Sequence, residues 1–366
     1  MSLSPNPRLA FAFLLVIASA GAHASFARPG IEFSHKDWEL ACDNTGTCRA
    51  AGYQSMDSDP AVSVLLTRKA GPDQPVRGQL MIGHYGDDAI PADLPDRIPL
   101  LLHIDGRAKG QVKIDRRTFS ADLSSTDVSA LLASLRRSPT IEWSSGAHRW
   151  RLSDEGATAV LLKMDEHQGR LGTPGALVRK GSRPESEVPP AVAAPRIVAR
   201  PLAPAKPADS RFPTNPPKAL LDTLRASIDV DRCWLREDTS KPLELDITRL
   251  SEGKVLLAAD CWGAAYNFGQ IVWVANDEAP FAPVVVTTDA SYIDDDGTIH
   301  ATHKGRGLGD CWSRESWTWN GSAYVPSRAL TTGMCRLVAP GGTWDLPTLV
   351  TEVIRETPAS ASAMQE

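Results

Sequence analysis

The chain has 366 residues, 42% of them hydrophobic and 23% charged, with a formal net charge of −5. A hydrophobic share this near the globular average excludes a wholly disordered polypeptide, and the length suffices for two ordinary domains with separate cores. The acidic balance argues against a protein built to neutralise nucleic-acid phosphates, so no nucleic-acid partner is expected.

In chain order, Arg8 precedes an apolar run from Leu9 to Ala20, and Ala22-His23-Ala24 places small residues at both positions of an A-x-A site. This is the pattern of a secretory signal peptide over residues 1–24, with cleavage leaving Ser25 first. The run falls short of the roughly 20 residues a spanning helix needs, and no later stretch approaches that length. The expectation is a mature chain with no transmembrane segment, periplasmic or secreted. Residues 25–181 then read as an α+β domain. Asp37–Cys42 and Cys48–Tyr53 form a hairpin, followed by strands at Ala61–Lys69, Arg77–Gly83, Ile98–Ile104 and Gln111–Ile114. Ser125-Thr126-Asp127 opens a helix that ends before Pro139, two short strands follow around residues 141–143 and 148–152, and a second helix carries Val160, Leu161 and Met164 on one stripe. Strands first and segregated helices later imply an antiparallel sheet.

Residues 182–217 hold ten prolines and read as a semi-rigid linker, a proline-rich recognition segment being the alternative. After a helix at Pro217–Ser227, residues 218–351 become a mostly β second domain. Short strands with glycine-containing turns suggest a meander, sandwich or barrel, and residues 352–366 read as a flexible tail. The charge divides unevenly. Residues 26–181 carry 20 basic and 20 acidic groups, whereas residues 218–366 carry 13 and 21.

Six cysteines in an exported chain suggest disulfides. Cys42 and Cys48 flank the turn-forming run Asp43–Thr47, so a bridge across that hairpin end is expected. Cys233, Cys261, Cys311 and Cys335 allow three connectivities. No C-x-x-C occurs and the histidines do not accompany the cysteines, so neither a metal, a redox pair nor another cofactor is expected.

Three tryptophans, Trp234, Trp262 and Trp312, each follow a cysteine and suit packing against disulfides. Trp317 and Trp319, two apart in a strand, share one face. Exposed, that face is an aromatic platform; turned inward, it is core. Gly305-Arg306-Gly307-Leu308-Gly309-Asp310-Cys311 allows close backbone approach and an Arg306–Asp310 ion pair, and its glycine spacing fits no phosphate fingerprint. Asp294-Asp295-Asp296-Gly297 lacks the EF-hand spacing and reads as a solvated turn. His300 and His303 point to opposite faces of a strand, and His84 stands alone on a Gly-His-Tyr-Gly turn. Asp165 and Glu166 oppose the macrodipole at a helix C-terminus, which implies a partner such as Arg170 or Arg151.

Several strings resemble the proteobacterial family known as domain of unknown function 1176: Trp38–Asn44, Thr47–Tyr53, Met164–Arg170, Ala264–Asn267 and Gly305–Cys311. The first half is also distantly similar to the invasion-associated locus B proteins, exported α+β domains with a tryptophan ahead of a cysteine pair. Trp312 stands where the first family suggests glycine, which implies a differently shaped loop. The resemblance implies export and architecture but no catalytic residues.

Taken together, the residues favour an exported, disulfide-braced, non-enzymatic binding protein of the periplasm or envelope, with an envelope polypeptide or glycan as partner. Arg306, Asp310, Trp317 and Trp319 are its candidate ligand-binding residues. The competing reading is a hydrolase of cell-wall or glycan material, with Asp294, Asp296 or Asp310 as paired carboxylates.

Overall fold

In the computed structural model the described residues are 30–86, 90–229, 231–233 and 243–355, so the expected signal sequence, Trp234 and everything after Arg355 lie outside them. Strands β1 (Ile31–His35), β2 (Trp38–Cys42), β3 (Cys48–Tyr53), β4 (Val62–Arg68) and β5 (Val76–Ile82) form an antiparallel meander. A second sheet is built from β6 (Arg97–Ile104), β7 (Arg107–Asp115), β9 (Ile141–Ser145) and β10 (His148–Leu152), in the order β10-β9-β6-β7, while β8 (Ser120–Leu123) joins the edge of the first sheet beside β5. Helix α1 (Ser125–Ser134) starts where the Ser124 side chain accepts from the Asp127 N–H, and α2 (Ala157–His167) presents Val160, Leu161 and Met164 to the core as its periodicity requires. Leu40, Val64 and Leu80 of one sheet meet Leu100, Leu102 and Trp143 of the other across this core.

The C-terminal end of α2 resolves the unfavourable charge expected there. Asp165 is fully buried, and its Oδ2 accepts the backbone N–H groups of Leu177 at 2.6 Å and Val178 at 3.0 Å. Its close cationic partner is Arg68, 3.8 Å away, with the expected Arg170 acting on it at longer range. Arg170 donates to the carbonyls of Lys69 and Gly71, tying the helix end to the β4–β5 hairpin. Asp165, Gln168 and Arg170 of this string are thus buried polar groups that lock local structure.

Helices α3 (Arg211–Thr214), still among the prolines, and α4 (Lys218–Ser227) precede a four-stranded sheet of β12 (Asp246–Arg249), β13 (Lys254–Gly263), β14 (Phe268–Asn276) and β15 (Val284–Ala290). A five-stranded sheet follows: β16 (Tyr292–Ile293), β17 (Ile299–Lys304), β18 (Trp312–Trp319), β19 (Tyr324–Thr331) and β20 (Leu346–Val350). One face of the four-stranded sheet packs on α3 and α4 through Phe212, Leu220, Leu224 and Trp273, and the other meets the five-stranded sheet through Leu256, Val272, Ile299 and Trp319. The protein is mostly β, with several antiparallel sheets.

The proline-rich residues make specific contacts. Strand β11 (Arg196–Ala199) pairs in parallel with β21 (Glu352–Arg355), so residues 352–355, expected in the tail, are a strand. Phe212 is fully buried, and Asp209 pairs with Arg249 of β12.

An antiparallel sheet with one wet face alternates buried and exposed residues, yet β4 is buried at every position except Thr67. The second half covers its outer face. Ala41, Ala51, Tyr53 and Leu65 pack against Val338, Trp344 and Leu346. The Trp344 indole N–H lies 2.7 Å from Ser63 Oγ, Arg336 pairs with Asp37 at 2.7 Å, and Asn44 exchanges two hydrogen bonds with the backbone of Val350. Three disulfides brace the chain: Cys42–Cys48 across directly paired strand residues, Cys233–Cys261 and Cys311–Cys335.

Within this seam, Tyr53 donates to Glu39 Oε1 at 2.5 Å, and the Met334 N–H donates to the same oxygen at 2.7 Å. Burial raises the Glu39 carboxyl above its ordinary value more than these donors lower it. The folded state therefore binds this proton more tightly than the unfolded chain. The resulting stability is complete below the unfolded value of about 4.3 and is lost as pH rises through the folded one. Glu39→Gln keeps the acceptor oxygen and removes the titration. Its urea midpoint is expected to fall less between pH 4 and 7 than that of the wild type, and parallel pH profiles would contradict this.

Candidate functional site

A broad cleft of about 900 Å³ opens at the seam. Its walls come from both halves: the Gln54–Ala61 loop, Gly83 and Tyr85, the β9–β10 turn with His148 and Arg149, and from the second half Arg306 and Cys335–Leu337. A volume of this size suits a small ligand or the end of a larger one.

Arg306 is held by chemistry that the glycine loop makes available. Its Nε and Nη2 donate to Asp310 Oδ1 and Oδ2 at 2.8 and 2.6 Å, a bidentate pairing. Asp310 is fully buried and also accepts the Leu337 N–H at 2.7 Å. Burial alone would raise its carboxyl, but Arg306 and the Leu337 amide hold it below the ordinary carboxylate value. Arg306 Nη1 makes no hydrogen bond among the described residues, and the side chain is 37% exposed on the cleft. The glycines serve two different needs. A Cβ on Gly305 would sit 2.7 Å from Cys311 Sγ, and Gly309 has φ +70°. Trp312 closes the loop by donating from its indole to the Gly309 carbonyl, with Lys304 over its ring.

Other basic side chains line the cleft. Arg149 is half exposed and paired with Glu142, His148 faces Asp93 at 3.1 Å, and buried Arg336 is engaged by Asp37. Trp150 is part of the same lining, fully buried and with an indole N–H that has no partner among the described residues. Asp57 and Asp59 on the Gln54–Ala61 loop supply negative charge.

The structure separates the four candidate binding residues. Arg306 and Asp310 stand together, Arg306 on the cleft and Asp310 beneath it. Trp317 and Trp319 do not join them, and of the two alternatives, exposed platform or core, their burial matches core. Trp319 is 2% exposed and Trp317 is partly buried against the same cluster, because this face of β18 turns toward the four-stranded sheet. Period-two spacing fixed that they share a face, but which face is buried depends on a sheet distant in sequence. Among the described residues, the most exposed aromatics lie elsewhere, at Tyr266, Phe268 and Tyr292.

Of the other candidates, Asp294 pairs with His300 at 2.8 Å, and Asp296 with Arg355. His300 also meets Ser316 Oγ, whereas His303 lies near the Phe268 carbonyl, in keeping with opposite faces. Of the three carboxylates nominated for hydrolysis, Asp296 and Asp310 are each taken up in a separate ion pair, and Asp294 lies within hydrogen-bond distance of the His300 ring. Groups of three metal-ligating side chains occur at Cys42, Cys48 and His167 and at Asp310, Cys311 and Cys335, but the sulfurs in both are joined in disulfides. The β9–β10 turn and Leu337 complete the cleft and carry no sequence signal of their own. Leu337 has φ +55°, invisible in a side chain that normally avoids that region.

No solved structure matches the chain. A curated relative, the uncharacterised protein YpfG of Escherichia coli strain K12, is 26% identical over 310 residues, covering 79% of this chain and 84% of that protein. The family described as protein of unknown function (DUF1176) matches residues 32–351, and the chain belongs to that family.

Proposed function

We propose that this is an exported, non-enzymatic binding protein of the periplasm or cell envelope, which takes an envelope component into the cleft between its halves. The observation that carries the reading is Arg306, held on two of its nitrogens by a buried carboxylate while its partly exposed side chain lines the cleft. A guanidinium ordered before the ligand arrives loses less entropy on binding. The disulfide Cys311–Cys335 and the docked segment after Thr332 hold that wall in place. The leader-like N-terminus and three disulfides support export.

The test is affinity capture from a native envelope extract with the chain from Ser25 onward, compared with Ala147→Trp. Ala147 is exposed on the β9–β10 turn and lines the cleft, so the larger side chain obstructs it without touching the core. Wild type is expected to retain a component that the variant does not. Identical retention by both would remove the cleft from the account.

A further inference from the structure

We infer that the cleft takes an amphiphilic anion: an apolar chain or body ending in a single carboxylate or phosphate. This deepens the binding reading above and rests on it. Two features that binding in general does not require point to this class.

The first is Leu337. It lies in the left-handed region at φ +55°, where a side chain is strained and glycine is not, yet its side chain is 40% exposed and lines the cleft. The strain is maintained by an unusual clip, the Leu337 N–H on buried Asp310. Met56, 73% exposed, lies on the same cleft with Pro60, Pro91 and Trp150. Leu337 and Met56 thus present apolar side chains to solvent inside a concavity, where an apolar ligand would cover them.

The second is charge. Asp310 fixes both ends of this arrangement at once, holding Arg306 by its side chain and Leu337 by its backbone. An apolar contact and a cation with an unused N–H edge are therefore set side by side by one carboxylate. Arg149, paired with Glu142, also lines the cleft from the β9–β10 turn. The opposing charges, Asp57 and Asp59, belong to the Gln54–Ala61 loop, so a ligand's acidic group is directed to the Arg306 wall. Arginine with a free edge matches carboxylate or phosphate oxygens.

The experiment is calorimetric titration of the chain from Ser25 with dodecanoate, dodecyl phosphate, dodecanol and inorganic phosphate, each below its aggregation concentration. Dodecanoate or dodecyl phosphate should bind at least about tenfold more tightly than dodecanol, and inorganic phosphate should bind weakly. Vesicles of phosphatidylglycerol form a further arm. Retention on vesicles together with monomer binding assigns the source to a membrane lipid, and monomer binding without it assigns a free amphiphile. Leu337→Gly is the decisive variant. It relieves the backbone, so its thermal midpoint should equal or exceed wild type, while dodecanoate affinity falls by roughly tenfold or more. Arg306→Gln should weaken dodecanoate and leave dodecanol unchanged. Equal affinity for dodecanoate and dodecanol, or unaltered binding by Leu337→Gly, would overturn the class. The two readings fail separately: if wild type still captures an envelope component that Ala147→Trp does not, while no dodecyl probe binds, the cleft stands and the amphiphile is wrong.

Discussion

Arg249→Ala is expected to destabilise the protein by about 3–5 kcal/mol, the cost of stripping one partner from a buried ion network. Arg249 is 2% exposed at its side chain. It donates to both oxygens of Asp209, to Asp277 Oδ2 at 2.9 Å, and to the carbonyls of Ser251 and Glu252 at 3.1 Å. Removing it leaves two carboxylates and two carbonyls without their common donor. Asp209 belongs to the proline-rich segment and Asp277 follows β14, so the effect reaches two regions of the second half. Arg249→Lys should recover only part of the loss, since an ammonium cannot reproduce the fork. The Arg249 hydrogen bonds hold the Asp209 carboxyl below its ordinary value. That contribution is present above about pH 3.9 and is lost as pH falls through the lowered value, so the variant's deficit should shrink in strong acid. Urea unfolding at pH 7 and pH 3 measures both. A loss under about 1 kcal/mol at pH 7 would contradict the network's role.

Asp310→Ala should cost about 3 kcal/mol, at the low end for a broken pair because Arg306 keeps contact with water. The same change leaves the Leu337 amide without its acceptor and frees Arg306 to move. Ligand capture should therefore fall further than stability alone explains, and it should stay low at temperatures where the variant remains folded. Full capture by a folded Asp310→Ala protein would show that Arg306 does not need its anchor.

Much of the fold is legible from local pattern. The β2–β3 hairpin with its disulfide, both helices of the first half and the principal strands of the second follow from spacing within a dozen residues. What escapes is non-local. Strands β16 and β21 are short, and β11 needs β21, a partner from the far end of the chain. Ten prolines have the composition of a linker, but composition does not show that Phe212 and Asp209 find buried partners. The site divides similarly. Arg306 and Asp310 are four apart on a glycine loop, a separation that announces a pair. The cleft that Arg306 lines takes walls from both halves, and residues after Thr332 that cover the first sheet bring those halves together. Trp317 and Trp319 show the limit of periodicity, since alternation gives a shared face and leaves its direction to tertiary packing.

That docking of the second half onto the first sheet is what creates the cleft, and Asp37–Arg336 spans it at 2.7 Å with both side chains largely buried. A double-mutant cycle with Asp37→Asn and Arg336→Gln, followed by urea unfolding, reads the contact directly. A coupling energy of about 1–3 kcal/mol is expected for residues in one buried network. Additivity within about 0.3–0.5 kcal/mol would contradict the docked arrangement.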